Sequence, residues 1–286
     1  HGSCGMGINE GSIRTAAGFG LFARDVFGMS AESLAAKLSR IRNEYGRKRI
    51  SEAGLDGYES EYMEMLSSET VLKNLAEEML CAAESVIPVE DETAFLREQE
   101  NLVFESGQGL LLDGENNEFA PHVTASRTGL HNVVLLLKKA ELKLDEACYV
   151  SRSYVTRHGA GALPCECARE DLGSVGVDIT NVSNNWQGAI RYAKHVSVDT
   201  FYKPIHEDLL EAERIYPGFA AADRPASLFI THLNETDSKL VFNDCEIPVE
   251  EFMKMKETER IVGRHYLSYC EENTIPENSA GGERSL

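Results

Sequence analysis

The sequence predicts an α/β domain, and three observations support this fold class. The chain has 286 residues with 42% hydrophobic content, which is enough for a sizeable core. Helical periodicity of apolar residues alternates along the chain with short β-rich runs. Near its middle, a short helix, the strand-like run 102–105, a glycine loop and another helix follow one another, which is the order typical of α/β domains.

The charge balance limits the partners that this protein can have. Lys and Arg number 28 against 47 Asp and Glu, which gives a net charge of −19. So acidic a protein repels a nucleic-acid duplex unless its positive charges are strongly clustered, and we expect no nucleic-acid partner. A mononucleotide is compatible with this charge, because backbone N–H groups and a few local cations can hold one phosphate.

Cysteine usage and hydropathy predict the compartment. The seven cysteines are scattered and lack a paired CxxC pattern, which favours reduced thiols in the cytoplasm. No apolar run approaches the roughly 18 residues that span a bilayer, and no signal peptide is visible, so no membrane partner is expected. The first residue is His1 and a glycine-rich loop follows at once, so we expect the sequence to begin inside a longer protein.

The amino-terminal third begins with a glycine-rich segment and then becomes helical. Glycines at 2, 5, 7 and 11, with Ser3 and Cys4 between them, fit either a phosphate cradle or a flexible tail. Ser30 is predicted to cap a helix over 31–45, which Gly46 ends. We attribute the basic residues near its end to a solvated helix surface rather than to a ligand site: Arg40, Arg42, Arg47, Lys48 and Arg49.

Two further helical segments lead to the middle of the chain. The first is an amphipathic helix or helix pair over 58–86, which Pro88 ends, and the second is a short helix over 93–100. The positions predicted to lie in the core of the first segment are Tyr62, Leu66, Leu72, Leu75, Met79 and Ala83.

The stretch Leu102–Thr128 is the centre of the prediction. Its strand-like run 102–105 enters a loop in which Gly107 and Gly109 permit positive φ angles and close approach to a ligand. The amide of Gln108 between them can both donate and accept hydrogen bonds. Taken alone, the loop fits an ordinary tight turn better than a nucleotide site, because short glycine patterns are weak signals.

A second glycine loop follows a helix predicted from Leu130 and a β-rich run over 147–156. The run ends in Arg157, with glycines at 159 and 161, an arrangement that delivers a cation and bare backbone to an anion. Cys165 and Cys167 have too few Cys or His neighbours for a zinc site, so no metal is expected there.

The remaining third combines a polar loop with further helix and strand. Loop 178–191 carries the only tryptophan, Trp186, and fits either a surface turn or a recognition loop for a small polar substrate. A helix over 207–214 and a buried strand over 226–233 follow. We predict one domain over residues 1–272 and a loosely ordered tail over 273–286.

Three segments taken together resemble the adenylosuccinate synthetase family, and their order and spacing agree with it. The segments are GSCGMGI at 2–8, VFESGQG at 103–109 with LLD at 111–113 and VTAS at 123–126, and TRHGAG at 156–161 with Pro164 and Glu166. The resemblance implies a P-loop-NTPase-like fold with a central, mostly parallel sheet, and a homodimer. It also implies that the family's amino-terminal part, which holds the P-loop, is missing here.

Members of this family join L-aspartate to C6 of a purine nucleotide after a nucleoside triphosphate phosphorylates the 6-oxo group. The resemblance makes Gln108 the catalytic residue at the developing 6-oxyanion, which needs a positioned donor. The implied contacts to the nucleoside monophosphate are Ser3, Cys4, Gly5, Gln108, Thr124 and Arg157. The Mg²⁺ ligands and a catalytic histidine are expected in the missing amino-terminal part, so we assign no metal ligand in this chain and expect it to be inactive alone.

The loop for the second substrate departs from the cellular members of the family. They carry an arginine-rich Thr-Thr-Gly-Arg-Arg loop, whereas residues 180–188 read TNVSNNWQG. This pattern is similar to the bacteriophage branch, which acts on dGMP rather than IMP, and the compartment would then be the host cytoplasm. The implied aspartate contacts are Thr180, Asn181, Asn184, Gln187 and Arg191.

The contacts to the triphosphate also depart from the family pattern. The guanine-reading Thr-Lys-x-Asp corresponds to residues 231–234, THLN, so the implied base contacts are His232 and Asn234. Asn cannot accept both guanine N–H donors as Asp does, so ATP or dATP becomes an alternative to GTP. Residues 268–271 replace the usual Ser-x-Gly-Pro with SYCE. The phosphate arginine that a dimer partner supplies corresponds to Gly18, with Arg14 or Arg24 as candidate substitutes.

The predicted function is that of a purine-nucleotide:aspartate ligase acting on IMP or, as in phages, dGMP, and driven by GTP or ATP. Two alternatives stay open. In the first, the chain is a non-catalytic nucleotide-binding relative; in the second, it is an inactive fragment of the enzyme.

Overall fold

Internal contacts divide the chain into two units, Gly7–Glu92 and Thr93–Leu286, and the second also includes residues 1–6. The computed structural model describes residues 7–55, 61–176, 181, 183–269 and 274–277. The side chain of Tyr62, which we predicted to lie in a core, is outside the described residues.

The unit Gly7–Glu92 consists of helices. In chain order they are α1 (Ile8–Arg14), a π-helical segment (Thr15–Phe19), α2 (Ala23–Val26), α3 (Ala31–Arg40), a second π-helical segment (Ile41–Gly46), α4 (Arg47–Glu52), α5 (Glu61–Ser67) and α6 (Glu69–Glu84). The predicted segment 58–86 is therefore a helix pair where it is described.

The helix that begins after Ser30 is longer than predicted. Ser30 caps it as expected, since its Oγ accepts a hydrogen bond from Ser33 N at 3.3 Å. Gly46 does not end it, because its φ of −60° and ψ of −46° are helical and the chain continues to Glu52. A glycine inside a helix costs about 1 kcal/mol. Burial of the preceding Tyr45, which is 7% exposed, offsets that cost.

Helices α3 and α6 form the core of this unit. Leu34 and Ala76 are fully buried in their contact, together with Leu72. Leu66 and Leu75 are 52% and 40% exposed, so our prediction that they lie in the core was wrong. The buried stripe of α6 passes through positions 72 and 76, which are about one turn apart, and Leu75 lies on the flank of that stripe.

Carboxylates neutralise most of the basic residues that follow α3. Arg49 donates to Glu10 from Nε at 2.7 Å and from a terminal nitrogen at 2.9 Å. These bonds, with one from Tyr45, lower the pKa of Glu10 to about 2. The other pairs are Arg40 with Glu44, Arg42 with Glu69, and Lys48 with Glu52. The paired charges agree with a helix surface rather than a ligand site.

The unit Thr93–Leu286 mixes helices and strands, which confirms the α/β prediction. Its helices are α7 (Glu92–Glu98), α8 (His131–Ala140), α9 (Val198–Ile215), α10 (Val249–Met253) and α11 (Lys256–Ile261). Its strands are β1 (Ala147–Arg152), β2 (Val155–Arg157), β3 (Glu166–Cys167), β4 (Arg191–Ala193), β5 (Ala226–Thr231), β6 (Lys239–Val241), β7 (Glu246–Pro248), β8 (Arg264–Ser268) and β9 (Thr274–Glu277).

A small, largely parallel sheet organises this unit. Its strand order is β1-β5-β8-β9, in which β1, β5 and β8 are parallel and β9 is antiparallel to β8. A three-stranded antiparallel sheet, in the order β2-β4-β3, and the hairpin of β6 and β7 accompany it. Strand β9 lies within the predicted tail 273–286, whose other residues are outside the described ones.

The run 102–105 is not a strand, contrary to our prediction. Residues 101–107 have no regular secondary structure, and Val103 is 94% exposed. A strand is stabilised by hydrogen bonds to a neighbouring strand. In the part of the chain that the structure describes, none of the strands pairs with this run.

Helix α9 covers one face of the four-stranded sheet and is more than twice as long as predicted. It begins at the Ser197 cap and spans 18 residues, with Pro204 inside it. Proline in a helix costs roughly 3 kcal/mol. Tyr202, Ile205 and Ala212 are buried on this helix. Burial of a large apolar side chain stabilises the fold by up to about 3 kcal/mol, so the burial of Tyr202 and Ile205 together outweighs the cost of the proline. The opposite face of the sheet carries Val150, which is 66% exposed.

Within the described residues, none of the helices combines the length and the apolar character that crossing a membrane requires.

Candidate functional site

The first part of the site is a segment that we call the strap, residues 105–128. Its two halves are joined by Thr124 N donating to Leu112 O at 2.8 Å and by Gly114 N donating to Ser126 O at 2.9 Å. A Cβ at Gly114 would lie 2.9 Å from Thr124 O, so this pairing requires glycine. Gln108 adopts φ 77° and is exposed, which leaves its amide accessible to a ligand.

A charged network fastens the carboxyl-terminal end of the strap to α9. Arg127 donates to Asp113 at 2.9 Å and to Glu211 at 2.6 Å, and Thr128 N donates to Asp113 at 2.7 Å. Burial alone would raise the pKa of Asp113, but backbone N–H donors and the charge of Arg127 hold that pKa below its usual value. The pKa of Glu211 is likewise lowered, because Arg127 and His131 outweigh its burial.

A neighbouring carboxylate, Asp208, has the opposite character. It is 9% exposed and accepts hydrogen bonds from Leu130 N at 2.9 Å and from the Tyr149 hydroxyl at 2.8 Å. Burial raises its pKa despite these donors. A Cβ at Gly129 would lie 2.0 Å from Asp208 Oδ1, so glycine is required where α8 approaches α9.

The second part of the site is the end of β2 and the loop that follows it. Arg157 is 9% exposed and donates to His122 O at 2.6 Å and to Ala162 O at 3.2 Å. Its guanidinium also lies 5.9 Å from the ring centroid of Phe119. In the part of the chain that the structure describes, no carboxylate pairs with Arg157 and its Nε has no acceptor. Burial, and then the charge of Arg191, lower its pKa.

Glycine at 161 permits this contact between strap and loop. Gly161 has φ 107°, and a Cβ there would lie 2.6 Å from the Arg157 guanidinium and 2.6 Å from His122 Cβ. Both the backbone angle and the space therefore exclude a side chain. Gly159, with φ 74°, needs glycine for its backbone angle.

Arg191, which we predicted to contact aspartate, is engaged within the protein. It donates to both oxygens of Glu166, at 2.8 and 2.5 Å, and to the carbonyls of Gly159 and Gly161 at 3.1 and 2.8 Å. Glu166 raises the pKa of Arg191. The guanidinium thus holds the glycine loop in shape and its charge is balanced.

The polar loop 178–191, which we call the amide-rich loop, is described at residue 181 and from residue 183 onward. His158 Nε2 lies 2.8 Å from Asn181 Oδ1, which joins the two predicted substrate loops. Asn184 Oδ1 accepts from the backbone N–H of Trp186 and Gln187 at 2.9 and 2.8 Å, so its side-chain oxygen builds a turn. Trp186 on that turn is 67% exposed.

The predicted contacts to the triphosphate base lie at the end of β5, where a 3-10 turn, Leu233–Glu235, begins. His232 precedes it with φ 62°, and its Nδ1 lies 2.9 Å from Thr231 Oγ1. The Ser153 hydroxyl donates to His232 O at 3.0 Å. Asn234 is exposed on the turn.

The structure brings some of the predicted site residues together. Arg157 binds the carbonyl of His122, two residues before Thr124 in the strap, and Arg157 and Arg191 both donate to carbonyls of the loop at 159–162. No described contact joins Gln108 to Arg157. The predicted ligands Ser3, Cys4, Gly5 and Thr180 lie outside the described residues.

Sequence reasoning missed several residues that support the site. The partner of Arg127 on α9, Glu211, lies 84 residues away, and no spacing rule connects them. The carbonyl of His122 is a backbone group, which side-chain motifs do not reveal. Glu166 lies in a recognised motif, yet its pairing with Arg191 depends on β3 pairing with β4.

The described residues contain no group of three or more His, Cys, Asp or Glu side chains placed to hold a metal ion. Three carboxylates of the site, Asp113, Glu211 and Glu166, are instead bound to arginines. These residues therefore do not fit a magnesium site.

A family model described as adenylosuccinate synthetase matches residues 1–188. The chain is similar to the adenylosuccinate synthetases of Psychromonas ingrahamii, at 29% identity over 185 residues, and Alteromonas mediterranea, at 30% over 166 residues. These matches cover 61% and 58% of this chain, but only 40% and 36% of the relatives. The enzyme of Shewanella loihica is 28% identical over 174 residues, which is 60% of this chain and 37% of that protein. The matched region contains the strap, Arg157 and the amide-rich loop up to residue 188, and the chain belongs to the adenylosuccinate synthetase family.

Proposed function

We propose that this chain forms part of a ligase that joins L-aspartate to C6 of a purine nucleoside monophosphate. The observation that carries the proposal is the buried Arg157 guanidinium, which lacks a carboxylate partner among the described residues. An uncompensated buried cation is costly, and an anionic ligand would balance it. Its position between the strap and the glycine loop favours a phosphate or carboxylate group of the substrate.

The proposed reaction has two steps. A nucleoside triphosphate transfers its γ-phosphoryl group to the 6-oxygen of the purine, which creates a good leaving group. The amine of aspartate then attacks C6, the C6–O bond breaks, phosphate departs and the amine loses a proton. Negative charge develops on the 6-oxygen, and the exposed amide of Gln108 can donate a hydrogen bond to it.

The monophosphate would be held by Thr124, Arg157 and the segment Ser3-Cys4-Gly5. The aspartate contacts remain Thr180, Asn181, Asn184, Gln187 and Arg191, with Asn184 and Arg191 acting mainly through the loop that they shape. His232 and Asn234 are the proposed contacts to the triphosphate base. We propose a homodimer, in which Arg14 or Arg24 reaches the partner's phosphate.

The substrate is proposed to be dGMP, as in the phage branch, with IMP as the alternative. Amides rather than arginines dominate the described part of the second-substrate loop, which supports the phage assignment. Asn234 in place of an aspartate favours ATP or dATP over GTP, because an amide cannot accept two guanine N–H donors with one oxygen. The Mg²⁺ ligands, the P-loop and the catalytic histidine are proposed to lie in the family's amino-terminal part. The matches cover only 40% and 36% of the relatives.

The test is an assay of the full reading frame with Mg²⁺, aspartate, ATP and dGMP, followed by purine absorbance. We expect a succinylated product, and we expect Gln108→Ala to abolish turnover without unfolding the protein. Gln99→Ala, an exposed glutamine in the same unit, is the matched control and should leave turnover unchanged.

Each other result of this assay favours an alternative to the proposed function or to the proposed role of Gln108. Turnover of IMP with GTP alone would refute the phage assignment and leave an ordinary synthetase. Nucleotide binding without turnover by the full reading frame would favour the non-catalytic relative. Full activity of Gln108→Ala would remove this residue from the mechanism.

A further inference from the structure

Glu235 joins two segments that we predicted to bind different substrates. It is the last residue of the turn that carries Asn234. Its backbone oxygen accepts a hydrogen bond from Ser174 N at 2.8 Å, and its carboxylate accepts one from Gly176 N at 3.4 Å. These two donors belong to the segment 172–176, which leads directly into the amide-rich loop.

Glycine at 173 makes this close approach possible. Gly173 has φ 121°, and a Cβ there would lie 2.7 Å from Glu235 O. A side chain at 173 would therefore separate the segment 172–176 from the turn. The bond from Ser174 N to Glu235 O is a backbone contact, and the carboxylate of Glu235 adds the contact to Gly176 N.

Tyr154 contacts both Glu235 and the segment 172–176. Its hydroxyl donates to Glu235 Oε2 at 2.5 Å, and its side chain is 2% exposed. The ring meets His232 edge to face at a centroid distance of 5.9 Å, and Leu172 and Val175 pack in the same buried cluster. Burial, and then Glu235, raise the pKa of Tyr154, so the phenol remains a donor at neutral pH.

We propose that Tyr154 and Glu235 form a strut that couples triphosphate binding at the turn 232–235 to the recognition of aspartate by the loop 178–191, which follows the segment 172–176 in the chain. The proposal rests on the proposed function. A base that contacts His232 and Asn234 would shift a short turn whose end is attached directly to the segment 172–176. The preferred geometry of the loop would then depend on whether the turn is occupied, which is a coupling free energy between two sites.

Trp186, the only tryptophan of this sequence, reports on this loop without an activity assay once the signal of a Trp186→Phe variant of the full reading frame is subtracted. Trp186 is 67% exposed, so its fluorescence is sensitive to ligands that order its surroundings. Aspartate is titrated by Trp186 fluorescence in the full reading frame, with dGMP or IMP present, with and without the imido analogue of ATP. In the wild-type protein we expect the analogue to tighten aspartate binding by about fivefold.

Two variants break the strut in different ways. Tyr154→Phe removes the phenol donor, and Glu235→Gln weakens the acceptor while keeping its shape. In both we expect the analogue to change aspartate affinity by less than about twofold, because the bond between Tyr154 and the Glu235 side chain is lost or weakened. The backbone bond from Ser174 N to Glu235 O remains in both variants and is not expected to carry the coupling by itself. Tyr192→Phe is the matched control, since its ring contacts Tyr154 at 6.2 Å, and it should keep the wild-type coupling.

The possible results separate this inference from the proposed function. Wild-type coupling that persists in folded Tyr154→Phe and Glu235→Gln overturns the strut while the ligase assignment stands. A wild-type protein that binds the analogue and aspartate independently also overturns it. A full reading frame that binds neither ligand refutes the proposed function, and the strut with it. Loss of coupling in the control would assign the effect to general loosening of the cluster and overturn the specific role of the strut.

Discussion

Two arginines in the unit Thr93–Leu286 show how differently one protein can use the same side chain. Arg127 lies between Asp113 and Glu211, at 2.9 and 2.6 Å, and its guanidinium is neutralised. Arg157 is more deeply buried, yet it donates only to two backbone carbonyls and faces the like charge of Arg191. Arg127 therefore holds the strap to α9. Arg157 contacts the strap at His122, and its charge has no carboxylate partner among the described residues.

The difference teaches which charges are structural. A cation that is paired in the folded protein has its electrostatic partner already, and a ligand would have to displace it. Burial of a cation without a partner is unfavourable because the cation loses its hydration, and a bound anion would offset that loss. Arg191 follows the first pattern through Glu166, so among these three arginines only Arg157 lacks a carboxylate partner within the described residues.

The largest expected effect separates binding from stability at Arg157. In Arg157→Met we expect the affinity for IMP or dGMP to fall by about 100-fold, because a charge-assisted contact to the phosphate is lost. The free energy of unfolding should change by less than about 1 kcal/mol, since removing a buried charge offsets the loss of two carbonyl partners. Isothermal titration and denaturant unfolding measure the two quantities, and unchanged affinity would contradict the assignment.

Arg127→Met should show the reverse pattern. We expect the free energy of unfolding to drop by about 2 kcal/mol, because two partly buried carboxylates lose their counter-charge. Nucleotide affinity should fall less than in Arg157→Met. Arg214→Met on α9 is the exposed control and should change stability by less than about 0.5 kcal/mol. Greater destabilisation by Arg157→Met than by Arg127→Met would reverse the comparison.

The smallest expected effect is the pH dependence of the stabilisation that Arg127 gives to the folded protein. The pKa values of Asp113 and Glu211 are lowered in the folded protein, so their stabilisation is present above their unfolded pKa values and is lost as pH falls through the folded ones. The stability difference between wild type and Arg127→Met should therefore shrink between about pH 5 and pH 3. Asp208, whose pKa is raised, has the opposite sign, but it is present in both proteins and largely cancels.

A control for this experiment is the buried His195. Burial lowers its pKa to about 4, so its neutral form stabilises the fold and this contribution is lost as pH falls from 6.5 toward 4. Both proteins should lose that part of their stability equally. A difference between wild type and Arg127→Met that stays constant down to about pH 3 would contradict the role given to the carboxylates.

Local signals predicted the elements that depend on neighbouring residues. The Ser30 cap, the helix α8 after Leu130 and the glycines of the Arg157 loop follow from local hydrogen bonds and backbone angles. The prediction missed β8 and placed a strand at 102–105, because strands depend on partners that are distant in sequence. It also ended the helix after Ser30 at Gly46 and limited α9 to residues 207–214, because the burial that stabilises the longer helices cannot be read from the sequence.

By itself, the sequence determined the fold class, the family and the types of residue at the site. Those properties reside in motifs of adjacent residues, such as ESGQG and TRHGAG. Only the tertiary structure decided which charges are paired, because Glu211 lies 84 residues from Arg127, Glu166 lies 25 residues from Arg191 and Glu235 lies 81 residues from Tyr154. Pairing and burial are set by the whole chain, and in the described residues they leave Arg157 buried without a carboxylate partner.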